Sequence, residues 1–341
     1  MARKKKRKTR FRVKRLLNPI VDSLDWLRYR LGEYCLRGFM RMLPWIPFRV
    51  FSVITSVVGR ATFAILWRYR ARMEQNLAMA MADQLPSPEE RRAVIRKAWR
   101  NFAQGILETS SIMHAPKEKV LAAVPIEGED HLKQALAKGK GVIALSAHLG
   151  NFTMIGIRLA AAGYPFIALV KQPRDRRFAR LMDDYRAKVG IKTVSAKPRR
   201  EAVRGVLKAL RANGVVLVIA DEFKSGGVEV EFFGLPSPAP RGPATLALRT
   251  GAATLPMFLT RDSRDRLTLH IEPEIELIES NELEDDVAAN TVLFTRHLEA
   301  MVRRYPDQWN WLGFHRDGAK PRAGRRKSRP AQQASRDVMS S

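Results

Sequence analysis

From Lys140 onward the chain alternates short apolar runs with longer helical stretches, and this alternation restricts the fold more than any other feature. The runs Val142 to Leu145, Phe166 to Val170, Val215 to Ile219 and Thr254 to Leu259 carry almost no polar residue. Strands of that kind have both faces covered. Between them lie the helical stretches Phe152 to Ala162, Arg176 to Val189, Arg200 to Ala212 and Gly242 to Arg249. The pattern predicts an α/β fold with a largely parallel central sheet flanked by helices. In such folds reactive groups collect beyond the carboxyl ends of the strands.

The amino-terminal third reads differently. Leu16 to Leu43 places Leu17, Val21, Leu24, Leu27 and Leu31 at helical spacing among charged residues, the pattern of an amphipathic helix. Pro44-Trp45-Ile46-Pro47 breaks it. Phe48 to Trp67 follows, the most apolar part of the chain, with Arg49, Ser52, Ser56 and Arg60 on one polar stripe. That suits a helix lying in a membrane interface, its arginines reaching for phosphates and Trp45 and Trp67 at the boundary. No uncharged run reaches the ~20 residues of a spanning helix. Arg68 to Ala115 is helical and charged, and Pro86-Ser87-Pro88-Glu89-Glu90 marks a loop and a fresh helix start. The expected organisation is a basic tail over 1–15, a helical membrane-associating region over 16–115, the α/β domain over 116–318 and a second basic tail over 319–341.

The net charge of +27 is concentrated at the ends: ten of the first fifteen residues are basic, and seven basic residues face Asp337 alone after Ala319. Such tails suit anionic lipid or nucleic acid equally by charge. No zinc-finger or RNA-binding aromatic motif accompanies them, and no nucleic acid partner is expected. The single cysteine, Cys35, excludes a disulfide framework and a Cys-rich zinc site. His114, His131, His270, His297 and His315 share no metal-ligand spacing, so no metal is expected.

Two polar clusters follow predicted strands. His148 sits after Val142 to Leu145 and before a helix, with Gly150 allowing a sharp turn, where an imidazole of near-neutral pKa can act as a general base. Asp221-Glu222 follows Val215 to Ala220. Lys171 and Arg174 after the next strand can stabilise an oxyanion or bind phosphate, and Arg241 precedes a helix whose first amide groups suit the same role. Gly226, Gly227 and Phe232 to Gly234 read as a hairpin.

The blocks His148-Leu149-Gly150-Asn151-Phe152, Gly226-Gly227-Val228-Glu229-Val230-Glu231-Phe232-Phe233-Gly234 and Arg241 to Ala252 resemble successive motifs of the lysophospholipid acyltransferase superfamily, in its lipid A late acyltransferase branch. Arg72 to Leu77 and Gln308-Trp309-Asn310-Trp311 resemble that branch's flanking segments. The resemblance implies a membrane-bound O-acyltransferase at the cytoplasmic face of a bacterial inner membrane. It would move a fatty acyl chain from acyl carrier protein or coenzyme A to a hydroxyl of a lipid A precursor or related glycolipid, with no cofactor beyond the thioester. His148 would be the base, and Asn151, Lys171, Arg174, Gly226, Gly227 and Arg241 would bind substrate. Anionic lipids and an acidic carrier protein suit the basic ends. The family's acid, five positions after the histidine, is here Thr153, which can orient an imidazole but supplies no charge. Asp221 or Glu222 is the expected substitute. Another lipid O-acyltransferase, or a non-catalytic lipid-binding relative, is the alternative reading.

Overall fold

A computed structural model describes residues 23–45, 48–223, 226–280 and 282–314. Both basic tails, residues 16–22 and His315 lie outside that range, as do the side chains of Arg49 and Ser52 in the polar stripe.

The helical region comprises α1 (residues 23–42), α2 (Phe48–Ile65), α3 (Trp67–Met81) and α4 (Pro88–Ile112). The fresh start expected near Ser87 is a capping box: the Ser87 hydroxyl accepts from the Glu90 amide at 3.1 Å, and the Glu90 carboxylate accepts from the Ser87 amide at 3.1 Å. Pro88 at the first helical position loses nothing, because its missing amide would have had no partner there.

The remainder continues with α5 (Lys117–Ala123), β1 (Ile126–Glu127), α6 (Glu129–Ala137), β2 (Val142–Ser146), α7 (Phe152–Ala161), β3 (Phe166–Val170), α8 (Arg176–Lys188), β4 (Lys192–Ser195), α9 (Arg199–Arg211) and β5 (Val215–Ile219). A hairpin, β6 (Val228–Phe232) and β7 (Leu235–Ala239), precedes α10 (Gly242–Thr250), β8 (Ala253–Arg261), β9 (Leu267–Ile271) and α11 (Leu283–Arg304). Seven strands form one sheet in the order β1-β9-β8-β2-β5-β3-β4, parallel except where β9 runs against β8. The apolar runs occupy the middle: every residue of β2 and of β8 is buried. Beside β2 lies β5, in register from Val142↔Val215 to Ser146↔Ile219, so residues following the two strands emerge side by side.

α1 docks on α8 through charged residues. Its charged face is the buried one, with Arg30 and Glu33 at 6% and 1% exposure, while Leu24, Leu27 and Leu31 are 60%, 55% and 61% exposed. Arg30 bridges Glu33 and Asp175, the residue that caps α8 through the Phe178 amide at 2.8 Å. Arg37 and Arg177 complete the ion cluster on Glu33 at 3.1 and 3.3 Å. Burial disfavours the Glu33 carboxylate, but the Arg37 hydrogen bond and the Arg177, Arg30 and Arg37 charges outweigh it and hold its pKa below the usual value. A carboxyl depressed in the folded state stabilises above its unfolded pKa, and that contribution fades as pH falls through the folded value. The protection factors of the α1 amides, taken relative to the intrinsic exchange rate at each pH, should therefore hold above the ordinary glutamate pKa of 4.5 and fall progressively below it, ahead of those of β2. Simultaneous loss of both would assign α1 to the cooperative core instead.

Candidate active site

His148 leaves the carboxyl end of β2 in a loop clamped on both sides. Gly150 donates its amide to the Gln308 carbonyl at 2.8 Å, Asn151 to the Leu259 carbonyl at 3.0 Å, and Asn310 to the His148 carbonyl at 3.2 Å. The loop thus lies between β8 and the segment after α11. Gly150 has φ +59°, and a Cβ there would overlap the Leu259 carbonyl. Gly150→Ala should lower stability by roughly 1–3 kcal/mol from backbone strain alone, before the overlap is counted. A melting temperature equal to wild type would contradict this packing.

The imidazole faces Asp221. Nδ1 of His148 lies 2.8 Å from Asp221 Oδ1, and the His148 backbone amide donates to Asp221 Oδ2 at 2.8 Å. Trp309 Nε1 donates to the same Oδ2 at 2.8 Å. The Asp221 side chain is 3% exposed and that of His148 32%. A buried carboxylate needs donors on its oxygens, and three supply them here. With Asp221 ionised, Nδ1 carries the proton and the basic lone pair resides on Nε2. The His148 and Phe152 rings stand nearly perpendicular, centroids 5.1 Å apart.

Of the two carboxylates expected to stand in for the missing acid, Asp221 is the one brought to the imidazole. Glu222, one position on, is exposed. Thr153 belongs to a different network: its hydroxyl donates to Asn151 Oδ1 at 2.8 Å and lies 2.9 Å from the Thr109 hydroxyl, while Asn151 Nδ2 donates to the Gly105 carbonyl at 3.1 Å. Asn151 and Thr153 therefore fasten the start of α7 to α4. Glu108 strengthens that seam by pairing at 2.5 Å with Arg261 at the end of β8, the two side chains 14% and 5% exposed.

Lys171 and Arg174 are exposed beyond β3, on the same edge of the sheet as His148 and separated from it by β5. Arg241 is ion-paired with Glu284 at 2.7 Å. Gly227 makes a close backbone approach to Pro238 and Ala239 within its own hairpin, and Gly226 has φ +92° with open space around it. Phe233 and Gly234, both at positive φ, form the two-residue turn joining β6 to β7.

Trp309, which the sequence placed only in a flanking block, joins this site through its bond to Asp221. The available signal was its place in Gln308-Trp309-Asn310-Trp311, a flanking block that folds back on the loop carrying His148. The other flanking block meets it: Asn76 Nδ2 donates to the Trp311 carbonyl at 2.6 Å.

Comparisons with known proteins place the chain in a family. The chain is 29% identical over 218 residues to a phosphatidylinositol mannoside acyltransferase of Mycobacterium tuberculosis, covering 63% of this chain and 67% of the relative. It is 24% identical over 272 residues to the protein of that name in Mycolicibacterium smegmatis, covering 77% and 87%. Over 280 residues it is 23% identical to the lipid A biosynthesis lauroyltransferase of Escherichia coli, covering 81% and 88%. Residues 21–316 match the bacterial lipid A biosynthesis acyltransferase family, and the chain belongs to that family.

Proposed function

We propose that this protein moves a fatty acyl chain from an acyl thioester, on acyl carrier protein or coenzyme A, to a hydroxyl of a lipid A precursor or related glycolipid. The observation that carries the reading is the 2.8 Å pairing of His148 Nδ1 with buried Asp221 at the carboxyl ends of neighbouring strands. In this mechanism Nε2 of His148 takes the proton of the acceptor hydroxyl as its oxygen attacks the thioester carbonyl carbon. The carbon–sulfur bond then breaks, and the departing sulfur takes the proton back from the imidazolium. Asp221 holds the tautomer and stabilises the transient imidazolium charge. Lys171 and Arg174, exposed on the same edge, are the residues assigned here to meet the oxyanion or a substrate phosphate. No electron changes hands, so the chemistry calls for no redox cofactor.

The test is transfer of labelled acyl chain from acyl carrier protein and from coenzyme A to a lipid A precursor by purified protein. Product with either donor supports the reading; none with any donor and acceptor defeats it. The mycobacterial relatives give a second acceptor class specific grounds. A phosphatidylinositol mannoside belongs in the same assay.

The acceptor is a membrane lipid, and the surface around α1 and α2 fits one. Among the described residues no helix is long and apolar enough to cross a membrane. Instead Val53, Val57, Ile65 and Trp67 are more than half exposed along α2 and its end, next to Trp45 at 86%. Apolar faces of this kind lie in the bilayer interface, at the cytoplasmic leaflet of the inner membrane in this proposal. High salt should leave the protein on membranes while detergent releases it. Complete release by salt would mean that charge alone holds it.

A further inference from the structure

The docking of α1 by its charged face creates a feature separate from the catalytic edge. Where α1, the end of α4 and the last turns of α8 converge, a wide-mouthed surface cavity of about 340 Å³ is lined by Arg37, Met40, Arg41, His114, Tyr185 and Lys188. Its lining has three permanent cations, one histidine and no carboxylate. Arg37 is held by Glu33 at 3.1 and 3.2 Å, and Lys188 Nζ sits over the Tyr185 ring at 5.3 Å. Arg41 and Lys188 have no acidic partner among the described residues. Arg41 and Lys188, converging beside the already paired Arg37 without a counter-charge of their own, repel one another, and an anion placed between them removes that cost.

The position of the cavity says which anion. Tyr34 and Arg41 are seven residues apart on α1, hence within about 20° around the helix. Tyr34 is 65% exposed and continues the outward apolar face of Leu27 and Leu31. A bilayer meeting that face places its headgroup layer at the mouth of the cavity. Basic pockets at a membrane surface bind phosphorylated headgroups, with arginine supplying a fork and lysine a point charge to phosphate. α8 starts beyond the carboxyl end of β3 and closes before the amino end of β4, so its last turn lies toward the edge of the sheet opposite His148.

We propose that this cavity holds the phosphodiester headgroup of an anionic bilayer phospholipid, at a site distinct from the His148–Asp221 pair. The basic residues have a plainer use, complementing the carboxyl-terminal dipole of α8. That use predicts an effect on stability without lipid selectivity, and the two separate experimentally.

The full chain should be compared by co-sedimentation with phosphatidylcholine vesicles containing or lacking phosphatidylglycerol. The double variant Arg41→Gln/Lys188→Gln is set against Arg200→Gln/Arg204→Gln, which removes the same charge from exposed positions on α9. The cavity variant should lose about thirtyfold of the preference for phosphatidylglycerol, because two cations leave and each near a phosphate surface is worth about 1 kcal/mol, and the α9 variant should lose much less. Equal losses in both variants, or none in the cavity variant, would overturn the proposal. Short-chain phosphatidylglycerol below its micelle concentration, followed by phosphorus NMR, should bind wild type and not the cavity variant. Inorganic phosphate or a purified lipid A precursor that binds wild type as tightly at this site would defeat the phospholipid assignment. None of these readouts uses acyl transfer, so they stand whatever the fate of the catalytic reading. Arg41→Lys, which keeps the charge, should retain the preference.

Discussion

Asp221→Asn should lower acyl transfer by about 10⁴-fold, the loss seen when the carboxylate of a serine-protease triad becomes an amide. The geometry gives the reason. Both the His148 backbone amide and Trp309 Nε1 donate to Oδ2 at 2.8 Å, so an asparagine must put its oxygen there. Its NH₂ group then occupies the place of Oδ1 and faces His148 Nδ1. An amide nitrogen donates and does not accept, so it selects the imidazole tautomer with the proton on Nε2. The ring is retained and its basic lone pair is turned to the wrong side. Glu222→Gln, one residue on, should change the rate by no more than a few-fold. The measurement is single-turnover acyl transfer by both variants with the melting temperature as a fold control. Comparable losses in the two variants would remove Asp221 from its assigned role.

His148→Ala should abolish transfer, a loss of at least the ~10²–10⁴-fold that a positioned general base contributes. The fold should survive it. A side chain one-third exposed carries little packing, and the backbone amide that donates to Asp221 is still present in the variant. Asp221 keeps Trp309 as a second donor. Normal melting and membrane association, with activity gone, is the expected combination. Activity surviving unchanged in His148→Ala would overturn the mechanism.

Much of the sheet was legible along the chain because its central strands are buried on both faces and read as unbroken apolar runs. β3 and β5 run over the expected residues, and β2 and β8 extend only slightly beyond them. The edge and outlying strands were not legible. β4 is Lys-Thr-Val-Ser with no fully buried residue, and β1 has only two residues. The hairpin was legible through its turn residues, since Phe233-Gly234 needs positive φ at both positions.

Local sequence determined where reactive groups emerge, for a strand followed by a glycine-bearing turn sends its next residues to one edge whatever surrounds it. It determined His148 and the pair Asp221-Glu222 as candidates in that way. Only the tertiary structure decided between the two acids, because the choice depends on β5 lying beside β2 and on Trp309, 88 positions further on, reaching the same carboxylate. The same division holds for α1. Periodicity shows which residues share a face of a helix but not which face is buried, since that depends on the partner. Asp175 and Arg177 on and beside α8 complement Arg30 and Glu33, so the charged face turned inward and the leucines were left exposed.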